Sequence, residues 1–194
     1  MTSPRTLVLH ERYRTLDDLY AHYGGGGFRV DLGCGFVKPP GFIGIDNLSG
    51  IQTQIPNEEN APDVLMDLSS SPLPFADGSC EEIRSSHFLE HSNLLHILDE
   101  SHRCLRTGGI FLFAVPYANS AEGMYPGHSQ FLTEKWFREN LTFRAKFEVD
   151  RQEFTPSDDW LANPAWVRRL IPFRFARTHL FNACSQMIVW AHTK

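Results

Sequence analysis

The residues with the clearest chemical potential form a glycine turn directly after an apolar run, Val30-Asp-Leu-Gly-Cys-Gly35. Glycines at positions 33 and 35 let backbone N–H groups approach a ligand closely, because no side chain stands in the way. A dinucleotide fingerprint would need a third glycine at Lys38, so the spacing disfavours a nicotinamide cofactor. The turn therefore predicts a ligand-binding loop at the end of a strand.

Two acidic residues end the next apolar runs. Asp46 closes Gly41-Phe-Ile-Gly-Ile-Asp46, and Asp67 closes the run that begins at Asp63. A carboxylate has two acceptor oxygens, which suit a pair of neighbouring hydroxyl donors. Since ligands of open α/β sheets bind at the carboxyl ends of the strands, we expect the glycine turn and both acids to surround one ligand.

The stretch His87-Phe-Leu-Glu-His91 matches the H-x-x-E-H zinc motif, in which two imidazoles one helical turn apart bind Zn²⁺ and the glutamate activates water. Here the motif follows a strand, and Ser92 is placed to cap the helix after it. We therefore expect no metal site, and a structural role for Glu90 and His91.

Two histidines are the candidate catalytic residues. His87 follows the fourth predicted strand, where a sheet presents groups to its ligand, and His128 lies on the polar loop after the fifth. Both have reference pKa values near neutrality, so either could act as a base, and His87 could instead line the cofactor pocket.

The elements that must position these residues follow from the hydrophobic pattern. Thr15 is predicted to cap a short helix that runs toward Tyr23. Ser92 is predicted to cap a second helix that ends at Gly108, and Thr133 is predicted to cap a third helix. Seven strands are predicted, of which the fourth is unusually polar: 28–32, 42–45, 64–66, 80–86, 110–115, 145–154 and 186–192. Pro39 and Pro40 disfavour a helix between the first two strands.

These motifs, in this order, resemble those of class I S-adenosylmethionine-dependent methyltransferases over about residues 28–116. Further matches are Pro72-Leu-Pro-Phe75, the Leu-Glu-His at 89–91 and Arg103-Cys-Leu-Arg-Thr-Gly-Gly109. The resemblance implies a Rossmann-like α/β fold, a seven-stranded sheet of order 3-2-1-4-5-7-6 with its last strand antiparallel, and S-adenosylmethionine as the cofactor. Two departures are Val37 in place of a third family glycine and the shortened first crossover.

The resemblance also implies the roles of the site residues. Asp46 would bind the ribose hydroxyls and Asp67 the adenine amine. The full predicted cofactor set comprises Asp31, Gly33, Cys34, Gly35, Asp46, Asn47, Asp67, Leu68 and Ser86. His87 and His128 remain the catalytic candidates. By analogy, the resemblance implies an enzyme that methylates a sugar, a lipid or another small metabolite. After the fourth strand, Ser85-Ser-His-Phe88 stands where DNA methyltransferases carry an Asn/Asp-Pro-Pro-aromatic motif, which argues against a DNA acceptor.

The composition indicates which partners and which cellular compartment to expect. The 194 residues include 18 Lys plus Arg and 23 Asp plus Glu, so the net charge of -5 argues against general nucleic-acid binding. No run of apolar residues is long enough to span a membrane. Four scattered cysteines without a CxxC pair predict a reducing, cytoplasmic setting.

We expect a single domain with three parts: an N-terminal helix and joint (1–27), a cofactor-binding half (28–117) and an acceptor half (118–194). Residues 155–183, rich in Trp, Phe and Arg, are expected to form a partly helical lid over the acceptor pocket or a homodimer interface, with core burial as the alternative for the two tryptophans, Trp160 and Trp166. Two other functions stay open: a non-catalytic cofactor- or partner-binding module on the same fold, and a zinc hydrolase.

Overall fold

The computed structural model describes residues 7–49 and 58–194. The strands are β1 (Val8–Leu9), β2 (Phe28–Leu32), β3 (Ile43–Asp46), β4 (Val64–Leu65), β5 (Cys80–Ser86), β6 (Leu105–Pro116), β7 (Phe147–Pro156) and β8 (Cys184–Thr193). The helices are α1 (Leu16–His22), α2 (Leu94–Cys104), α3 (Glu134–Glu139), α4 (Leu141–Lys146), α5 (Asp158–Ala162), α6 (Ala165–Leu170) and α7 (Phe173–His179). Two 3₁₀ turns occupy Glu58–Asn60 and Leu89–His91. No helix of the described residues is long and apolar enough to cross a membrane.

All eight strands form one sheet in the order β1-β4-β3-β2-β5-β6-β8-β7. Without β1, this is the predicted order 3-2-1-4-5-7-6, which is thereby confirmed. The last strand, β8, runs antiparallel to both of its neighbours, as predicted. The sequence did not predict β1, which pairs antiparallel with β4 at the sheet edge.

The connection from β2 to β3 contains no helix, which confirms the expectation from Pro39 and Pro40. An ion pair holds this loop instead: Lys38 Nζ lies 2.7 Å from Asp63 Oδ2, and both side chains are buried. Asp63 also accepts a hydrogen bond of 2.8 Å from the Gly44 N–H on β3. The loop is therefore anchored to the sheet through charge rather than through the apolar face of a helix.

The polar character of β5 is explained by its neighbour. Arg29 and Asp31 of β2 lie opposite Glu82 and Arg84 in the parallel register. Arg29 Nε lies 2.9 Å from Glu82 Oε2, and Arg84 Nη1 lies 3.9 Å from Asp31 Oδ2. Cross-strand pairs of opposite charge thus make a central strand of this composition tolerable.

The two sheet faces differ in burial. Along β6, Phe111 and Phe113 are fully buried, and they pack with Phe137 of α3 and Phe147 of β7 in the main core. Ile110, which precedes Phe111, is 43% exposed. Strand residues alternate between faces, so the helical layer covers one face of β6 while the other remains partly open.

Two of the predicted caps differ from the structure. Thr15 caps α1 as predicted, with Asp18 completing a capping box. Ser92, however, does not cap α2: its hydroxyl donates to the Leu89 carbonyl at 3.0 Å in the preceding turn, and the helix begins one residue later, after Asn93. Gly108 has the left-handed conformation expected of a C-cap (φ 71°), but the helix ends earlier, at Cys104, and Gly108 lies within β6.

The third predicted cap and the segment 155–183 agree in position with the structure. Thr133 directly precedes α3 but makes no capping hydrogen bond through its side chain. Segment 155–183 begins in β7 and contains α5, α6 and α7, so the partly helical prediction is confirmed. Its two tryptophans differ: Trp160 is 6% exposed and forms a small cluster with Ala176 and Ala183, whereas Trp166 is 66% exposed.

Candidate functional site

A cleft of about 400 Å³ opens at the carboxyl ends of β2 to β5. This is the edge at which open α/β sheets bind ligands. The structure brings together seven residues of the predicted cofactor set along its wall, together with His87: Gly33, Gly35, Asp46, Asn47, Asp67, Leu68 and Ser86. The sequence therefore located the cleft.

The glycine turn has the backbone geometry that its sequence demands. Gly33 and Gly35 have φ values of 68° and 51°, which side chains rarely adopt. A Cβ atom on Gly33 would lie 2.3 Å from Cγ of Phe88, since the Phe88 ring packs directly on the turn. Both conformation and space therefore require glycine at position 33.

Asp46 links the turn to the end of β3. Its Oδ2 accepts a 2.8 Å hydrogen bond from the Gly35 N–H, and its Oδ1 accepts one of 2.5 Å from the Leu48 N–H. At 8% exposure its carboxylate lies on the cleft wall with little contact with solvent. Asp67 also lines the cleft, and its Oδ1 accepts a hydrogen bond from the Ser69 N–H. The two acids thus have backbone-fixed orientations.

Two residues of the predicted set, Asp31 and Cys34, do not line the cleft. Asp31 is 2% exposed and is directed toward Arg84, and its Oδ1 has no hydrogen-bond partner among the described residues. Burial raises the pKa of Asp31 to about 7, although Arg84 opposes the shift. The Cys34 thiol is buried close to Gly44, and burial raises its pKa well above the usual range.

His87 has an unusual backbone and fully engaged ring nitrogens. Its φ of 52° is rare for a residue with a side chain. Nε2 lies 2.9 Å from Oε1 of Gln186 and donates to it, and Nδ1 lies 3.6 Å from Oε1 of Glu90. The interaction with Glu90 raises the pKa of His87, while partial burial opposes the shift. His87 thus lines the cleft, and each of its two ring nitrogens lies near a partner.

The turn at 89–91 brings two histidines together. His91 lines the cleft, and its ring centroid lies 4.6 Å from that of His128 in an edge-to-face arrangement. His128 is therefore adjacent to the cleft wall. Because residues 89–91 form a 3₁₀ turn rather than an α-helix, His87 and His91 do not have the spacing of the H-x-x-E-H zinc motif.

Comparison with known proteins agrees with this geometry. Residues 30–113 match the family model of a methyltransferase domain. This match covers the glycine turn, Asp46, Asp67 and the turn at 89–91. No curated protein sequence matches the chain significantly.

Several solved structures share the fold of this chain. A SAM-dependent methyltransferase from Archaeoglobus fulgidus has a TM-score of 0.60 at 17% identity, over 91% of this chain and 90% of that one. The complex of a putative methyltransferase with the Trm112 activator from Haloferax volcanii has a TM-score of 0.52 at 19% identity, over 86% of this chain and 82% of that one. A 16S rRNA (adenine(1408)-N(1))-methyltransferase from Catenulisporales acidiphilia has a TM-score of 0.54 at 14% identity, over 91% of this chain and 90% of that one.

Sequence reasoning missed several residues that line the cleft. These are Ser49, Met66, Ser69, Phe88, His91 and Ser92. Met66 and Ser69 flank residues that were predicted, so extension of the motif by one position on each side would have found them. Phe88 and His91 lie in the motif at 87–91, but only the folded turn shows that both face the cleft.

Proposed function

We propose that this chain transfers the methyl group of S-adenosylmethionine to a small-molecule acceptor, such as a sugar, a lipid or another metabolite. The observation that carries this proposal is the composition of the cleft wall, in which no described lining residue is Lys or Arg. A nucleic-acid acceptor would need cations for its phosphates. The net charge of -5 agrees with this choice.

The residues of the cleft fit the cofactor. The glycine turn offers backbone N–H groups without an obstructing Cβ, and a cleft of about 400 Å³ is of the size of small-molecule sites. We assign the ribose hydroxyls to Asp46, whose carboxylate oxygens each keep a lone pair beside their backbone hydrogen bonds. We assign the adenine amine to Asp67, and contacts along the cofactor to Asn47, Leu68 and Ser86.

S-adenosylmethionine supplies an electrophilic methyl group on its sulfonium, so the protein mainly has to hold the acceptor close and in line. His87 is poorly suited to accept a proton, because both of its ring nitrogens already face partners. His91 and His128 each direct Nδ1 at a backbone carbonyl, which leaves Nε2 without a partner among the described residues. We therefore place the acceptor at the end of the cleft near His91 and His128.

The arginines of segment 155–183 do not favour an anionic acceptor in this cleft. Arg174 and Arg177 line a separate cavity of about 580 Å³ beside β7, together with Arg138 and His179. We instead propose that the exposed apolar side chains of this segment form a homodimer contact: Trp166, Leu170, Phe175 and Phe181. Light scattering should show a dimer that the Trp166→Ala variant weakens, and a monomeric wild-type protein would contradict this.

We place the reaction in the cytoplasm, which the cysteines support. All four of them, Cys34, Cys80, Cys104 and Cys184, are buried and unpaired in the structure. Proteins of oxidising compartments more often use their cysteines in disulfides.

The proposed activity is tested by incubation of the purified protein with S-adenosylmethionine and either a small-metabolite extract or total RNA. Formation of S-adenosylhomocysteine is expected with the metabolite extract and not with RNA. Product from RNA alone would contradict the small-molecule acceptor. Cofactor binding in calorimetry without product from either mixture would support the binding-module alternative and overturn the proposal of an enzyme.

A further inference from the structure

A second group of potential ligands lies where the cofactor cleft meets the loop at 123–130. Glu90, His91 and His128 each offer one ligand atom, and these atoms all lie within 4.8 Å of one another. His91 lines the cleft, whereas Glu90 lies beneath it at 2% exposure. This set differs from the H-x-x-E-H motif because His128 takes the place that His87 would have.

The two histidines are oriented as metal ligands usually are. Nδ1 of His91 lies 3.3 Å from the Gly127 carbonyl, and Nδ1 of His128 lies 3.1 Å from the Gly123 carbonyl. A carbonyl oxygen can only accept, so each Nδ1 carries the proton and each Nε2 presents a lone pair. Metal-binding histidines commonly donate their second N–H to a backbone carbonyl, which fixes the tautomer and the ring orientation.

Glu90 supplies an unsatisfied acceptor at the same place. Its Oε1 faces His87 at 3.6 Å, but its Oε2 is buried without a hydrogen-bond partner among the described residues. A buried carboxylate oxygen without a partner is unfavourable, because it has lost its hydrogen bonds to water and has no protein hydrogen bond to replace them. A cation bound between Glu90 and the histidines would remove this deficit.

The backbone fixes the relative position of the ligands. The N–H groups of Ser129 and Gln130 donate to the Glu90 carbonyl at 2.7 and 3.2 Å, and the Ser129 hydroxyl donates to the same oxygen at 3.1 Å. Residues 128–130 are thus tied to the 89–91 turn although they lie far apart in sequence. Such a clamp preorganises the group before any ligand arrives.

We propose that Glu90, His91 and His128 bind a divalent transition-metal cation of the Zn²⁺ type, with an open coordination position toward the cleft for an acceptor oxygen. Two imidazoles and one carboxylate suit Zn²⁺ or Co²⁺ better than Mg²⁺ or Ca²⁺, which prefer oxygen ligands. Tetrahedral ligands of zinc lie about 3.4 Å apart, so closure from 4.8 Å or less needs a shift of only about 1 Å. The role toward the acceptor rests on the proposed function, but the metal site itself does not.

Metal binding can be measured without any acceptor. The chelator-treated full-length protein is titrated with Zn²⁺ by calorimetry and with Co²⁺ by visible absorption. We expect one equivalent to bind, with affinity reduced about tenfold or more in His91→Ala, His128→Ala and Glu90→Gln. The control His192→Ala, on β8 and paired with Asp150, should bind like the wild type. Unchanged thermal melting of the metal-free proteins verifies that each variant is folded.

The outcomes separate the two proposals. No binding, or equal binding by all variants, would show that the cluster is not a metal site, and the inference would be wrong. One equivalent lost in the three ligand variants supports the site even if no acceptor is ever methylated. Methyl transfer that is equally fast with and without chelator would overturn the role of the metal toward the acceptor while leaving the proposed function intact.

Discussion

Lys38 Nζ and Asp63 Oδ2 lie 2.7 Å apart with side chains that are 5% and 0% exposed, so the ion pair is almost fully removed from water. The Tyr23 hydroxyl adds a hydrogen bond of 3.1 Å to the same carboxylate oxygen. Desolvation and the nearby Asp63 raise the pKa of Tyr23, which keeps this hydroxyl a donor. The pair joins the loop before β3 to the segment before β4, and through Tyr23 to the end of α1.

Replacement of Lys38 by Met should destabilise the fold strongly. It would leave the buried Asp63 carboxylate with only Arg12, 3.8 Å away, as a cation, and removal of one partner of a buried ion pair costs roughly 3–5 kcal/mol. Urea unfolding measures the change. The double variant Lys38→Met/Asp63→Asn removes both charges and should recover a large part of the lost stability. A loss below about 1 kcal/mol in the single variant would show that the pair does not hold the loop.

Substitution of Asp46 by Ala should weaken S-adenosylmethionine binding by about 1.5–3 kcal/mol, because charge-assisted hydrogen bonds are lost. Isothermal calorimetry measures this directly. Asp17→Ala, which removes an exposed carboxylate of α1, is the matched control and should bind normally. If the Asp46 variant binds as tightly as the wild type, the ribose assignment is incorrect.

Asp31 should make stability depend on pH. Burial raises its pKa to about 7 in the folded protein from an ordinary value of 3.8. Its contribution to the free energy of unfolding is therefore fully present below pH 3.8 and is lost as pH rises toward and through 7. The reason is that the folded protein binds this proton more tightly than the unfolded chain does, and has to release it as pH rises. The difference in unfolding free energy between wild type and Asp31→Asn should thus fall from about pH 5 to about pH 7.5. A constant difference over this range would contradict the raised pKa.

The two tryptophans of segment 155–183 should respond differently to truncation. Trp160→Ala removes a buried ring from its cluster and should cost about 3–5 kcal/mol if that cluster unfolds with the domain. Trp166→Ala, at a site that is 66% exposed, should change the stability of the monomer by less than about 0.5 kcal/mol. Thermal melting at low protein concentration measures both variants. Equal losses of stability would contradict the assignment of Trp160 to a buried cluster and of Trp166 to the surface.

Two central strands were predicted with the correct bounds. Residues 28–32 and 80–86 were predicted with the bounds that the structure shows, since each is an apolar or paired run that ends at a turn. Asp46 and Asp67 could be placed on the cleft because acids at strand ends share one edge of a parallel sheet. Local pattern and sheet topology were sufficient for these positions.

Other features depend on contacts between distant residues. β1 contains only two residues, and its pairing with Leu65 and Val64 has no local signal. The approach of His128 to His91 depends on a backbone clamp between two segments that are far apart in the chain, so neither residue alone indicates it. The predicted Ser92 cap was wrong because the helix begins one residue later, with Asn93 at the N-cap position, and the Ser92 hydroxyl donates to the Leu89 carbonyl of the preceding turn instead.

The helix-free loop between β2 and β3 also changes the electrostatics of the glycine turn. In folds where a crossover helix follows such a turn, the first N–H groups lie at the positive end of the helix macrodipole, equivalent to about half a unit charge. Residues 33–42 supply no such dipole, and the nearby Lys38 is neutralised by Asp63. An anionic group bound at this turn is therefore held by short-range hydrogen bonds alone, so that part of the affinity should change little with ionic strength.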